Sequence, residues 1–201
     1  MFRAWSARPG YLPDFVRWYH MLVDARIKAS LDTDRPLPNT YWVMRGRLLA
    51  GEHPAGTDVA GSRARLARLH AAGIDTFVDL TEKGEMPAYR HLLPRGTHYQ
   101  RSAIVDTRVP NNIVQTRELL ADIQHALDGG RCVYIHCRAG IGRTGLIVGC
   151  FLADQEANGA TAIKLLNRLW RQSERAQTWP TVPQTAEQAD YIRHWPKLGK
   201  L

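Results

Sequence analysis

Cysteine is scarce in this chain, three in 201 residues. A small, odd number argues against a disulfide framework and fits a reducing compartment. The eight histidines show no close ligand spacing, so neither a metal site nor another cofactor is expected. No stretch reaches the roughly 18 apolar residues needed to span a bilayer. Residues 1–8 lack the uninterrupted apolar core of a secretory signal, which makes a cytoplasmic location the expectation. Repeats and low-complexity runs are absent as well, so nothing suggests a second core. Acidic residues are in deficit, 19 against 27 lysines and arginines, for a net charge of +8. That excess favours an anionic partner, but the basic residues are scattered and no nucleic-acid reading motif accompanies them.

What is present is a 44% hydrophobic composition arranged as strands alternating with helices. Strands are expected at Tyr41 to Leu49, Ile74 to Leu80, Tyr99 to Ile104 and Cys132 to His136. Helices are expected at Ala60 to Ala72, Val114 to Leu127, Arg143 to Asn158 and Ala162 to Gln172, the first three followed by glycine stops. The fold class that follows is α/β: one domain with a mostly parallel central sheet flanked by helices on both faces.

The most informative stretch is HCRAGIGRTG, His136 to Gly145, a glycine-bearing turn between a buried strand and an apolar helix. Ala139, Gly140 and Gly142 allow the backbone to curl with its amide hydrogens inward, an anion site at the positive end of a helix dipole. Arg138, Ala139, Gly140, Ile141, Gly142 and Arg143 would form the cradle, with the planar fork of Arg143 matching two phosphoryl oxygens. Cys137 lies at its base. Cysteines at helix N-termini or beside cations titrate at roughly 3.5 to 7.5, so this field favours the thiolate nucleophile. The Thr144 hydroxyl is placed to donate to the sulfur when it becomes a leaving group. A Walker-type nucleotide loop is excluded, because no Lys-Ser or Lys-Thr pair follows the glycines. Cys132 and Cys150 read as buried hydrophobes, with a protective disulfide to Cys137 as a further option.

At these residues the chain resembles the cysteine-based protein phosphatases, and more closely their dual-specificity branch, whose signature is HC, five residues, then R followed by S or T. The likeness runs from about Asn39 to Trp195 and includes YWVMRGRLLAGEHP and PQTAEQ. It implies a phosphatase of phosphotyrosine, and of phosphoserine or phosphothreonine, in phosphoprotein substrates, working without metal through a cysteinyl-phosphate.

Such chemistry needs a carboxyl to protonate the leaving oxygen and then to activate water. Asp106, in Ile104-Val105-Asp106-Thr107-Arg108-Val109-Pro110, has the form of the resembling family's acid loop; a solvated loop carboxylate or a helix cap are its plainer readings. Asp79 and Glu85 compete for the role. The Trp-Pro that precedes this aspartate in tyrosine-specific relatives is replaced by Ile-Val, so a large hinged loop is not assumed. Gln184 and Gln188 resemble the glutamines that orient hydrolytic water, while Thr185 with Gln188 equally satisfies a capping box. His136 is assigned to holding the loop backbone or tuning Cys137.

Residues 82–96, with Lys83, Tyr89, Arg90 and His91, are expected at the rim. Relatives acting on phosphoinositides tend to carry more cations in the cysteine loop than the single Arg138 here, and RNA-directed relatives carry Asn where this chain has Gly142. A phosphoinositide or inositol-phosphate phosphatase remains the alternative enzyme, and a non-catalytic phosphate-binding module the alternative of another class.

Residues 1–38 read as a helical extension packed on a catalytic domain, 39–201, with Phe15, Trp18, Tyr19 and Leu22 on one side. Arg17, Arg26 and Lys28 near that apolar face leave contact with a membrane surface or a partner open.

Overall fold

The computed structural model describes residues 35–156 and 158–198. The expectations for an aromatic N-terminal helix fall outside them. Among the described residues five strands form one sheet in the order β1-β2-β5-β3-β4. They are β1 Thr40–Met44, β2 Leu48–Gly51, β3 Thr76–Asp79, β4 His98–Arg101 and β5 Val133–His136. Every pairing is parallel except β1 with β2. Among the described residues the helices are α1 Val59–Ala71, α2 Ile113–Asp128, α3 Gly142–Glu156, α4 Gly159–Trp170 and α5 Ala186–Leu198. Among the described residues no helix is long and apolar enough to cross a membrane.

One element differs from the sequence expectation. Tyr41 to Leu49 is two antiparallel strands rather than one. Gly46, at a φ of +70°, turns the chain between Arg45 and Arg47, a conformation glycine adopts without a side-chain clash. The apolar residues on both sides of that turn hid it.

Register explains the core. Trp42, Leu49, Tyr134, Phe77 and Tyr99 are successive cross-strand partners, so they share one face of the sheet. Leu66 and Leu69 of α1 belong to the same buried cluster as the first four, together with Leu37. On the other face Tyr41 meets the Trp170 ring edge-on at 5.6 Å. Central β5 is buried along its whole length, which accounts for its unbroken apolar reading. The outer edge of β1 is closed by Gln172, whose amide donates to the Trp42 carbonyl and accepts from its N–H, both at 3.1 Å. Asp58, Asn112 and Asn158 cap the N-termini of α1, α2 and α4 with their side chains.

Because β2, β3, β4 and β5 run parallel, their C-terminal ends converge on one edge of the sheet. The loops leaving β3 and β5, and the end of β2, therefore meet there, as ligand sites do in open α/β sheets.

Candidate active site

β5 delivers His136 and Cys137 to that edge, and α3 begins five residues beyond the cysteine. The turn between them is packed against the end of β2. A Cβ on Gly140 would lie 2.6 Å from the Gly51 carbonyl carbon, and its φ is +78°, so this position demands glycine twice over. Cys137 is 3% exposed, and its Sγ accepts a hydrogen bond from the Gly140 N–H at 3.3 Å. Arg143 leaves the first turn of α3 with its guanidinium buried. Nη1 donates to Glu85 Oε2 at 2.6 Å and to the Ile104 carbonyl at 3.1 Å, while Nη2 donates to Glu85 Oε1 at 2.5 Å and lies 3.0 Å from Asp106 Oδ1. Its Nε is buried without a partner. A buried donor left unpaired is costly, and an anion in the cradle would satisfy it. Burial works against the Arg143 charge, but Glu85, Cys137 and Asp106 more than compensate, raising its pKa. Hydrogen bonding from Arg143 in turn holds Glu85 below its ordinary value.

Asp106 stands at the mouth, 36% exposed along its side chain, between Arg143 and the outward-facing Arg138, whose Nη2 is 3.0 Å from Asp106 Oδ2. Thr107, the next residue, has a φ of +66° and directs its N–H to Asp106 Oδ1 at 3.1 Å. Two bonds tie this loop to the C-terminal segment: Thr185 Oγ1 to the Thr107 carbonyl at 3.4 Å and Gln188 Nε2 to the Arg108 carbonyl at 3.1 Å.

Asp79 is elsewhere. Fully buried at the end of β3, it accepts from the Thr81 N–H and hydroxyl, the Tyr99 hydroxyl, and Nε and Nη2 of Arg101. Burial opposes its ionisation, but His136 and the hydrogen bonds from Thr81 and Tyr99 outweigh it and bring its pKa to about 2. Its partners all lie on Thr81, Tyr99 and Arg101, which marks it as a structural anion. His136 is also fully buried, and burial lowers its pKa to about 3, so it is neutral. Nδ1 faces the Cys137 carbonyl at 3.4 Å, which can only accept, so the proton sits on Nδ1 and Nε2 accepts from the Tyr89 hydroxyl at 2.6 Å.

A model of the family described as "Tc-R-P: Polymorphic toxin system, DSP-PTPase phosphatase" matches residues 54–157, half of the chain and all of the cysteine loop. The chain belongs to this family. Among curated proteins it is similar to a putative tyrosine phosphatase, 067L, of Invertebrate iridescent virus 3, 38% identical over 94 residues, 44% of this chain and 38% of that protein. It is also similar to 197R of Invertebrate iridescent virus 6, likewise a putative tyrosine phosphatase, 27% identical over 129 residues, 63% of this chain and 44% of that one. The chain thus spans less than half the length of these relatives. Solved structures with the same fold include Tk-PTP in its active form, with a TM-score of 0.65, 23% identity, and coverage of 80% of this chain and 97% of that one. A kinase associated phosphatase gives a TM-score of 0.66 at 21% identity, covering 81% and 96%.

Within this DSP-PTPase domain, Thr144 and Glu85 have partners other than those the sequence suggested, and the two glutamines take up places among those it offered. The Thr144 hydroxyl donates to the Gly51 carbonyl at 3.3 Å instead of to Sγ, because α3 is seated against the end of β2. Gln188 realises the capping box: its N–H donates to Thr185 Oγ1 and its Oε1 accepts from the Thr185 N–H, both at 3.2 Å. Both glutamines lie over Gly142, where a Cβ would come within 2.9 Å of Gln184 Oε1 and 3.1 Å of Gln188 Oε1. Glu85, weighed from sequence only as an acid, instead grips Arg143. Tyr89, expected at the rim, is instead buried in the core at 1% exposure, where its hydroxyl meets His136. Glu52 and His53 stood in the sequence only as part of a family-like stretch and Arg175 was not singled out, since the groups they meet at the cysteine loop are a side chain 123 residues away or backbone atoms, where no local spacing points to them. Burial pushes the Cys132 thiol up to about 11 and the Cys150 thiol well above its ordinary value, which keeps both protonated and unreactive at neutral pH.

Proposed function

We propose that this domain hydrolyses phosphomonoesters of proteins, phosphotyrosine first and phosphoserine or phosphothreonine with it, through a cysteinyl-phosphate intermediate. The observation that carries the reading is the buried, unpartnered Nε of Arg143 beside a buried sulfur that already receives the Gly140 N–H. One phosphoryl group would take both the Nε and the amides of the cradle while presenting phosphorus to Sγ.

In the first step Sγ attacks phosphorus, the S–P bond forms, the P–O bond to the substrate breaks, and Asp106 gives its proton to the departing oxygen. In the second, water attacks the phosphocysteine, Asp106 takes the water proton, and sulfur leaves as thiolate. The incoming phosphate takes over the Nη2 donor that Asp106 now shares with Glu85, which frees the acid to turn to the leaving group. Glu85 holds the guanidinium flat in place for both steps. Gln184 and Gln188 both reach Gly142 and are the glutamines available to orient water, while Gln188 also serves the acid loop and the cap of α5.

A polyanionic lipid headgroup is the less favoured substrate. Arg138 is the only cation of the cysteine loop besides Arg143, and it is engaged with Asp106. The reading also carries a cytoplasmic location, following from the cysteine usage.

The test is phosphate release in the presence of a chelator from phosphotyrosine peptide, phosphothreonine peptide, phosphoinositide and inositol phosphate, with Cys137→Ser as control. Turnover of the peptides that the substitution abolishes is expected. Turnover confined to lipid or inositol phosphate would overturn the substrate class, and binding without turnover would leave only a phosphate-binding module.

A further inference from the structure

The cradle works only if its peptide planes face the right way, and two of its carbonyls are held from outside. The Arg138 carbonyl accepts from the His53 N–H at 3.1 Å. The Ala139 carbonyl accepts from Arg175 Nη1 at 2.6 Å. In a trans peptide the C=O and the following N–H point in opposite directions. The plane that carries the Ala139 carbonyl also carries the Gly140 N–H, the group that donates to Cys137 Sγ at 3.3 Å. Pulling that carbonyl outward therefore aims the amide inward. Glycine at position 140 removes the steric barrier to turning this plane over, so the orientation needs an external hold.

Arg175, on the short 3-10 turn Glu174–Gln177, is itself held. Its Nη2 donates to Glu52 Oε2 at 3.1 Å. Glu52 in turn accepts from Asn39 Nδ2 at 2.8 Å and Arg65 Nη2 at 2.7 Å, and its backbone follows directly on Gly51, the residue on which Gly140 rests. One planar fork thus spans a loop carbonyl and an anchored carboxylate, which a lysine ammonium does not reproduce.

We propose that Arg175, tethered by Glu52, is a positioning residue that locks the Ala139–Gly140 peptide with its N–H on the nucleophilic sulfur. The inference deepens the phosphatase reading and rests on it only for the name nucleophile. Arg175 touches neither the sulfur nor the phosphate site; it acts through one peptide plane.

The test is the rate of Cys137 alkylation by iodoacetamide between pH 5 and 9.5 on the full chain, with Cys137→Ser reporting any background from Cys132 and Cys150. The charged and titratable groups around the sulfur are Arg143 on α3, Arg138 and Asp106 at the rim, Tyr41 on β1, and Tyr134 and His136 on β5. The variants leave all of these in place. Arg175→Ala and Glu52→Ala should each react severalfold more slowly at pH 6 and converge with the parent near pH 9.5. Arg175→Lys should be as slow as alanine, and millimolar guanidinium should restore the Arg175→Ala rate.

Glu52→Ala separates geometry from charge, because removing a carboxylate by charge alone would make the thiolate easier to form and the reaction faster. A faster Glu52→Ala, or a lysine variant at the parent rate, would overturn the proposal. If Arg175→Ala does not fold, Glu52→Ala and Arg175→Lys decide it. Phosphate release measured in parallel keeps the two readings apart. An inactive parent whose alkylation still depends on Arg175 loses the phosphatase reading alone, and an active one whose alkylation does not depend on it loses the positioning role alone.

Discussion

Two aspartates near the C-terminal edge of the sheet show how surroundings sort identical side chains into different work. Asp79 is fully buried and accepts five hydrogen bonds from Thr81, Tyr99 and Arg101. Asp106 is more than a third exposed, bonded within its own loop only to the next residue's N–H and otherwise held by Arg138 and Arg143. The first is fully buried with its lone pairs engaged, and through Tyr99 and Arg101 it secures β3 to β4. The second shares its arginine with the proposed phosphate site and is partly open to solvent, which suits the acid role proposed for it. The candidate acid is thus set apart less by its place on the sheet than by how many of its lone pairs are already taken.

The contrast can be broken most strongly at Asp106. Asp106→Asn should lower kcat on a phosphotyrosine peptide by roughly 10² to 10⁴, the usual size of a general-acid contribution, while the melting temperature stays within a degree or two. The loss should shrink on an aryl phosphate whose leaving group needs little protonation. A full-activity Asn variant on the peptide would transfer the role to another carboxyl.

Asp79→Asn should do the reverse. Replacing a buried, fully hydrogen-bonded carboxylate leaves Arg101 without its charge partner and should cost about 3 kcal/mol of unfolding free energy in denaturant titration. Activity of the folded fraction should change little. A large kcat effect without loss of stability would place Asp79 in the chemistry after all.

Acid sharpens the same comparison through the neutral histidines beneath the cradle. His136 is held to about 3 and His53 to about 4, both chiefly by burial, against an ordinary 6.5. Below pH 6.5 the unfolded chain therefore binds protons that the folded chain refuses. This stabilisation is complete above about pH 6.5 and falls as pH drops toward 4, by about 2 kcal/mol per histidine at pH 5. Asp79 has the same sign but acts lower, between about pH 4 and 2, so it does not contribute at pH 5. The slope of melting temperature between pH 7 and 5 should be visibly reduced in His53→Gln. An unchanged slope would mean that His53 is solvated in solution.

The smallest effect is expected at the C-terminal tie. Thr185→Ala removes the cap of α5 and the bond to the Thr107 carbonyl and should cost about 1 kcal/mol in stability. If kcat falls severalfold as well, the tie also holds the acid loop.

The cysteine loop was readable because every part of it is contiguous: strand, nucleophile, glycines, arginine and helix follow one another within a dozen residues. The alternation of strands with helices was readable for a similar reason, since side-chain periodicity and glycine stops are local. The hairpin at Gly46 was not, because apolar residues flank the turn on both sides. The capping box of Thr185 and Gln188 was visible as a spacing, yet the second bond of Gln188, to the Arg108 carbonyl, was not.

Sequence by itself therefore determined the α/β class and singled out the candidate nucleophile, the candidate phosphate-binding arginine and the candidate acid. Only the tertiary structure decided that Glu85 grips Arg143 across 58 residues, that Tyr89 hydrogen-bonds His136 across 47, and that Arg175 reaches the Ala139 carbonyl across 36. Those contacts join side chains from separate loops to one another or to backbone atoms, and a backbone carbonyl has no letter of its own in a sequence. Parallel strands bring their ends to a common edge, and it is that edge, not any local pattern, that selects which distant residues complete the site.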